Sequence, residues 1–146
     1  MTRNEAREHL MQIIYEMDAG KSMNPETAEK LTEERLSGNH KARGRKLLCW
    51  IIDHLETVDK MINDNSNSWK TSRMPKVDLA IMRLAIGELH YGEPIPQAVV
   101  VNEAINLAKK YSTERSSGYV HGVLGAVIKS DQQKDRGNSD AVHSGD

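Results

Sequence analysis

The side chains able to do chemistry in this chain are few and scattered. Histidines stand at positions 9, 40, 54, 90, 121 and 143, and Cys49 is the sole cysteine. No histidine pairs with another, or with Cys49, at a metal-ligand spacing, and one cysteine permits no intrachain disulfide. Asp53 and His54 are adjacent, which sets their side chains about 100° apart on a helix instead of facing one another. A phosphate-cradling loop needs its glycines between a strand and a helix. Gly118, Gly122 and Gly125 instead fall inside a helical pattern, where close helix packing is their expected use. These residues predict no catalytic centre, no cofactor and no metal site.

The remaining chemistry is recognition of a polyanion. The run His40-Lys41-Ala42-Arg43-Gly44-Arg45-Lys46 is the densest basic cluster. It can neutralise phosphates, or it is a solvated helix start, where positive charge gains nothing from the helix dipole. A second set mixes aromatic rings with cations. Arg7, Met11 and Tyr15 follow at four-residue spacing beside an apolar stripe, and Lys109, Lys110, Arg115 and Tyr119 stand around the start of the last helix. Single-stranded RNA is held in this way, with bases stacked on rings and cations along the backbone. For each tyrosine, half-buried packing is the competing use.

Composition limits how large such a surface can be. The 146 residues hold 20 Lys+Arg against 21 Asp+Glu, a net charge of -1, and the pI is about 6.6. Any basic footprint is therefore local. Residues 70–130 carry it, with 8 Lys/Arg against 5 Asp/Glu, while residues 1–69 hold 10 against 12. Phe is absent, so the core must be built from Leu, Ile, Val, Ala and seven Met. Mean hydropathy is -0.63, and no apolar run approaches the roughly 18 residues of a membrane span. Met1-Thr2-Arg3-Asn4-Glu5 lacks the apolar core of a signal peptide, so a cytoplasmic location is expected.

The elements that must position these groups all read as helix. Ala6, Leu10, Ile13, Ile14 and Met17 form one stripe, ended at Gly20. Asn24 caps and Pro25 opens a second helix. A long helix is expected from about Lys41 to Asn63. Pro75 starts the next, which is apolar almost all round from Val77 to Leu89 and so must be central. Pro96 opens another after the break at Gly92-Glu93-Pro94, and Ser112 caps the last, with Val120, Val123, Leu124, Val127 and Ile128 inward. No segment sustains a period of two. The prediction is an all-α bundle of six to seven helices over residues 1–130. The polar tail, 131–146, has too little apolar surface to offset its ordering entropy and is expected to be disordered.

The stretch Val77-Asp78-Leu79-Ala80-Ile81-Met82-Arg83-Leu84-Ala85, followed by Glu88-Leu89, Ile95-Pro96, the helix VNEAINLAKKYS at 101–112 and Tyr119-Val120-His121-Gly122-Val123-Leu124, resembles the NusB family of transcription antitermination factors. Ala6-Arg7, Gln12, Tyr15, Trp69 and Arg73 extend the resemblance, which covers about residues 3–130. It implies two packed helical subdomains and no enzymatic activity. It also implies binding of boxA-type RNA in ribosomal RNA leader transcripts together with ribosomal protein NusE, and through them the other Nus factors and RNA polymerase. Carried over residue by residue, it assigns RNA contacts to Arg3, Arg7, Gln12, Tyr15, Lys109, Tyr111, Arg115 and Tyr119, and places Asp78 on the NusE-facing surface. Departures are that Glu5 and Glu8 dilute the first helix, that Arg115 stands where many members carry an acid, and that His121 and Gly125 replace the usual Asn and Asp. The basic run at 40–46 matches no family feature. The alternative reading is a protein-binding helical adaptor that does not bind RNA, or a homodimer that buries the same face.

Overall fold

The computed structural model describes residues 1–91 and 94–144, with side chains through Lys134. Seven helices follow in order: α1 (Arg3–Ala19), α2 (Pro25–Arg35), α3 (Asn39–Asp53), α4 (Leu55–Asp64), α5 (Lys76–His90), α6 (Gln97–Tyr111) and α7 (Glu114–Ser144). No strand occurs among the described residues. No described helix is long and apolar enough to cross a membrane.

Local chemistry sets most boundaries. Thr2 and Glu5 form a reciprocal capping box at the start of α1: Thr2 Oγ1 accepts from the Glu5 amide at 3.1 Å, and Glu5 Oε2 accepts from the Thr2 amide at 2.9 Å. Asn24 Oδ1 accepts from the Thr27 amide at 2.8 Å and Pro25 opens α2, as expected. The last helix is capped differently from the expectation. Ser112 closes α6, and Thr113 Oγ1 accepts from the Ser116 amide at 3.0 Å. The residues between Tyr91 and Pro94, Gly92 and Glu93, lie outside the described ones. The expected disorder from Asp131 falls largely on residues whose side chains are likewise outside them. Asp131 itself accepts from His90 Nε2 at 2.8 Å.

The long helix expected over 41–63 is two helices. The chain leaves α3 at His54, whose φ and ψ are -112° and 20°. Neither glycine nor proline marks the break. The His54 amide and ring Nδ1 both bond the Trp50 carbonyl, at 3.0 and 2.8 Å, and the imidazole stacks on the Trp50 ring at 4.3 Å between centroids. The side chain thus competes for a carbonyl of the helix's last turn. The bend sends α4 across to α5 and α7.

Helix α5 is the hub. Every residue from Asp78 to Gly87 is buried, and the helix packs against α1, α3, α4, α6 and α7. Helices α1, α2 and α3 form one group and α4 to α7 a second; the contacts of α5 with α1 and α3 join them. Two glycines permit this closeness. A Cβ at Gly87 would lie 2.7 Å from Ile51 atoms of α3, and one at Gly44 would lie 2.6 Å from Leu36 and 3.0 Å from Leu10. Gly118, Gly122 and Gly125 do the opposite of what the helical pattern suggests. They face outward, with nothing within 4 Å of an added Cβ. The valines and Leu124 between them occupy the buried face instead.

Opposite outcomes are therefore expected for two alanine substitutions. Gly87→Ala should destabilise by about 1–3 kcal/mol, because Ile51 and Leu47 must give way. Gly122→Ala should stabilise by up to about 1 kcal/mol, the helix-propensity difference at an unobstructed site. Denaturant unfolding of the two variants measures both signs.

Candidate RNA-binding face

Helix α1 runs antiparallel to α5, and charges mark both ends of their seam. Near one end, Arg7 Nε and Nη2 donate to the Glu88 carboxylate at 2.9 and 2.8 Å, and Nη1 reaches Asn4 Oδ1 at 3.1 Å. The side chains of Arg7 and Glu88 are 5% and 8% exposed. Burial opposes the Arg7 charge, yet the Glu88 hydrogen bonds and its negative charge outweigh this and raise the Arg7 pKa above its ordinary value. Arg7 and Met11, expected beside the buried stripe as part of an RNA surface, are themselves buried. Arg7 is buried because Glu88, near the end of α5, supplies a carboxylate beneath it. At the other end Arg83 forks onto Asp59 of α4 at 2.9 and 2.8 Å and approaches Asp18 of α1 at 3.6 Å.

The outward side of α1 meets the end of α6. Glu8, Gln12 and Tyr15 recur at spacings of four and three, so they share one helix face. Tyr111 donates its hydroxyl proton to Glu8 and accepts from Gln12 Nε2 at 3.1 Å. Lys110 Nζ lies 2.9 Å from Glu8 and 5.4 Å from the centre of the Tyr111 ring. The hydrogen bonds from Tyr111 and then Lys110 hold the Glu8 carboxyl below its usual range; the same carboxylate raises the pKa of both partners. Tyr15, one turn further on, is 39% exposed. Gln12 and Tyr111 are thus brought together across 99 residues of sequence, Glu8 and Lys110 join them, and Tyr15 follows on the same face of α1.

The other assigned residues are spread more widely. Arg3, Lys109 and Arg115 are exposed. Lys109 borders an open groove between α6 and α7, with Asn102, Asn106, Ser117 and His121. Tyr119 is half-buried: its ring meets Trp69 edge-on at 5.2 Å, and its hydroxyl pairs with that of Ser66 and reaches the Trp69 carbonyl at 3.3 Å. Its role here is to pin the loop between α4 and α5, which presents Trp69 at 36% exposure. Asp78, which the resemblance gives to the NusE-facing surface, has no exposed surface in this structure. It lies in the first turn of α5, where the helix dipole favours a carboxylate, although neither oxygen has a hydrogen-bond partner among the described residues. Lys110, read from the sequence among the cations near the last helix, joins this face, and so does Glu8, which the sequence showed only as a charge diluting the first helix.

The fold is that of NusB: the structure of T. maritima NusB aligns with a TM-score of 0.80 at 27% identity, covering 88% of this chain and 92% of that one. A solved complex of antitermination factors NusB and NusE with double-stranded RNA aligns at 0.75, with 27% identity over 88% of this chain and 96% of the matched one. The NusB family model matches residues 4–129. A transcription antitermination protein NusB from Thermoanaerobacter sp. (strain X514) is 39% identical over 139 residues, 95% of this chain and 98% of that protein. The chain belongs to the NusB family.

Two substitutions should separate the roles read from these contacts. Arg7→Ala leaves the Glu88 carboxylate buried without its partner and should cost about 3–5 kcal/mol of stability. Arg7→Met with Glu88→Leu, which removes both charges, should recover most of that loss. If the double variant melts no higher than the single, the seam depends on something other than this pair.

Proposed function

We propose that this chain is a transcription antitermination factor that holds a boxA-type segment of ribosomal RNA leader transcripts together with ribosomal protein NusE. The action is tethering. The RNA signal and NusE occupy separate parts of one rigid helical body, which keeps the signal beside the other Nus factors and RNA polymerase. No cofactor and no bond-making step enters this account. Family membership supports it, as does the solved neighbour that holds NusE and double-stranded RNA together with NusB.

The observation that carries the RNA reading is the junction of α1 with the end of α6. An exposed tyrosine, Tyr15, stands one turn from Gln12 on the face of α1 where Gln12 and Glu8 hold a second tyrosine and a lysine contributed by a distant helix. Rings offer stacking to unpaired bases, and the lysine offers a charge to the backbone. Glu8 is the brake on this surface, because its carboxylate occupies both Lys110 and the Tyr111 hydroxyl. An incoming phosphate must compete with it. Arg3, Lys109 and Arg115, which the resemblance assigns to RNA, are exposed cations outside that junction. Arg7 and Tyr119 act behind it, by fixing α1 on α5 and the Trp69 loop on α7.

Titration of labelled boxA-like, scrambled and duplex RNAs, with and without NusE, tests the function. Binding should favour the boxA-like single strand, and NusE should strengthen it. Equal affinity for the scrambled strand under both conditions would sink the reading, and self-association that is unaffected by RNA would favour the homodimer. Two variants test the face itself. Tyr15→Ala should lose about 1–3 kcal/mol of RNA binding with the melting temperature nearly unchanged, while Tyr119→Ala should mainly lower the melting temperature. Glu8→Gln should strengthen RNA binding and steepen its salt dependence, since it releases Lys110. Weaker binding by Glu8→Gln would mean that Glu8 organises the face and does not oppose RNA.

A further inference from the structure

One large aromatic ring at the surface has no part in the α1–α6 junction. Of the two tryptophans and four tyrosines, only Tyr15 and Trp69 are exposed among the described residues, at 39% and 36%. Tyr15 belongs to the junction. Trp69 stands on the segment between α4 and α5.

That segment is tied down along its length. Asn63 Oδ1 accepts from the Thr71 amide at 2.8 Å, and the Asn63 carbonyl accepts from Lys70 Nζ at 2.9 Å. The Lys70 carbonyl accepts from the Arg73 and Met74 amides at 2.8 and 3.0 Å, and Met74 is buried. Ser66, also buried, donates its hydroxyl proton to the Trp69 carbonyl and accepts from the Trp69 amide at 3.3 Å. Tyr119 of α7 closes the arrangement, its ring edge-on to Trp69 at 5.2 Å. Both backbone groups of Trp69 are thus used, while its indole N–H has no acceptor among the described residues.

A single exposed apolar side chain needs no partner. Two features set this one apart. The ring is held in one place before any ligand arrives, so stacking on it costs little conformational entropy. The charge around it is also mainly positive. Lys70 and Arg73 are exposed within four residues of Trp69, and Arg115 is exposed one turn before Tyr119 on the same side of α7. Glu114 is the exposed carboxylate of that turn, and Asp64, at the end of α4, is taken by Lys60 at 2.8 Å.

We propose that Trp69 is a stacking platform for one unpaired base of the bound RNA, with Lys70, Arg73 and Arg115 supplying charge to the phosphates that flank it. The proposal rests on the RNA-binding reading above and adds a ring from a different element to it. Arg115, which the resemblance gives to RNA, links the two. A protein partner would also cover an indole, but three cations beside it favour a polyanion. Every base has a π-face, so the platform adds affinity and leaves sequence choice to other groups.

The test reads the indole itself. Tryptophan emission of the unaltered protein is followed as boxA-like single-stranded RNA is added, and again for Trp69→Phe, in which Trp50 is the only tryptophan. A base stacked on Trp69 should quench the unaltered protein with the same midpoint as RNA binding. Trp69→Phe keeps a ring, so it should bind within about fivefold yet show no quench. Trp69→Leu keeps apolar bulk without a ring and should lose about five- to a hundredfold in affinity. Thermal melts accompany both variants. RNA binding without a quench in the unaltered protein overturns the proposal. So does a quench that survives in Trp69→Phe, since it would belong to Trp50, and so does unchanged affinity in a folded Trp69→Leu. Quenching by NusE alone, and not by RNA, overturns it in favour of a protein contact. Each of these leaves RNA binding elsewhere on the molecule standing, whereas failure of the unaltered protein to bind boxA-like RNA overturns the parent reading and this one with it. The quench in the unaltered protein needs no variant, so it decides the case even where Trp69→Leu unfolds.

Discussion

The seam between α1 and α5 is the constraint on which the rest of this molecule depends. Buried methylenes supply its strength, with Ile13, Ile14 and Met17 of α1 and Ile81, Met82, Leu84 and Ile86 of α5 at most 1% exposed. Apolar surface alone would allow the two helices to slide or rotate. The Arg7–Glu88 fork at one end, and the Arg83 contacts with Asp59 and Asp18 at the other, remove that freedom. A buried ion pair of this kind is weak evidence for stability but good evidence for register, since misalignment strands a charge. Once α1 is fixed on α5, Tyr15 and Gln12 must face outward and the end of α6 must arrive beside Glu8.

The recognition surface follows from this as a matter of economy in charge. The chain is close to neutral, so it cannot attract RNA through a broad field. It relies on a few cations placed next to rings, several of them already engaged. Lys110 is held by Glu8, and Arg7 is committed to Glu88. Binding therefore exchanges partners for some of these groups instead of filling empty sites. Exchange of that sort discriminates between ligands, because only one that replaces the lost contact with good geometry gains from it.

Much of the fold was legible in sequence because burial is written as periodicity. The all-round apolar pattern of Val77–Leu89 marked the central helix, and the prolines and Asn24 marked helix starts. The capping box of Thr2 and Glu5 is equally readable, as a threonine followed three residues later by glutamate. The break at His54 was not readable, because it comes from a ring that bonds and stacks within its own turn. The glycines misled for a related reason. Spacing tells which residues share a face but not whether that face meets another helix. The site was legible as a set of residue types and only partly as a surface. Nothing local distinguishes Arg7, which has Glu88 eighty-one residues away to bury it, from Arg3, which remains at the surface.

The outward glycines of α7 set the order in which the molecule opens. Glycine gains more backbone freedom than any other residue when a helix unwinds, and it leaves neighbouring peptide groups open to water. Three of them along one face make the solvent side of α7 the place where helical hydrogen bonds break at least cost, while the Val120–Val127 face stays docked. Helix α5, enclosed on all sides, opens only when the whole domain does. Amide hydrogen exchange should therefore grade across the structure, fastest on the bare strip of α7 and slowest at the centre of α5. The helix that braces the Trp69 loop is then also the one that breathes first.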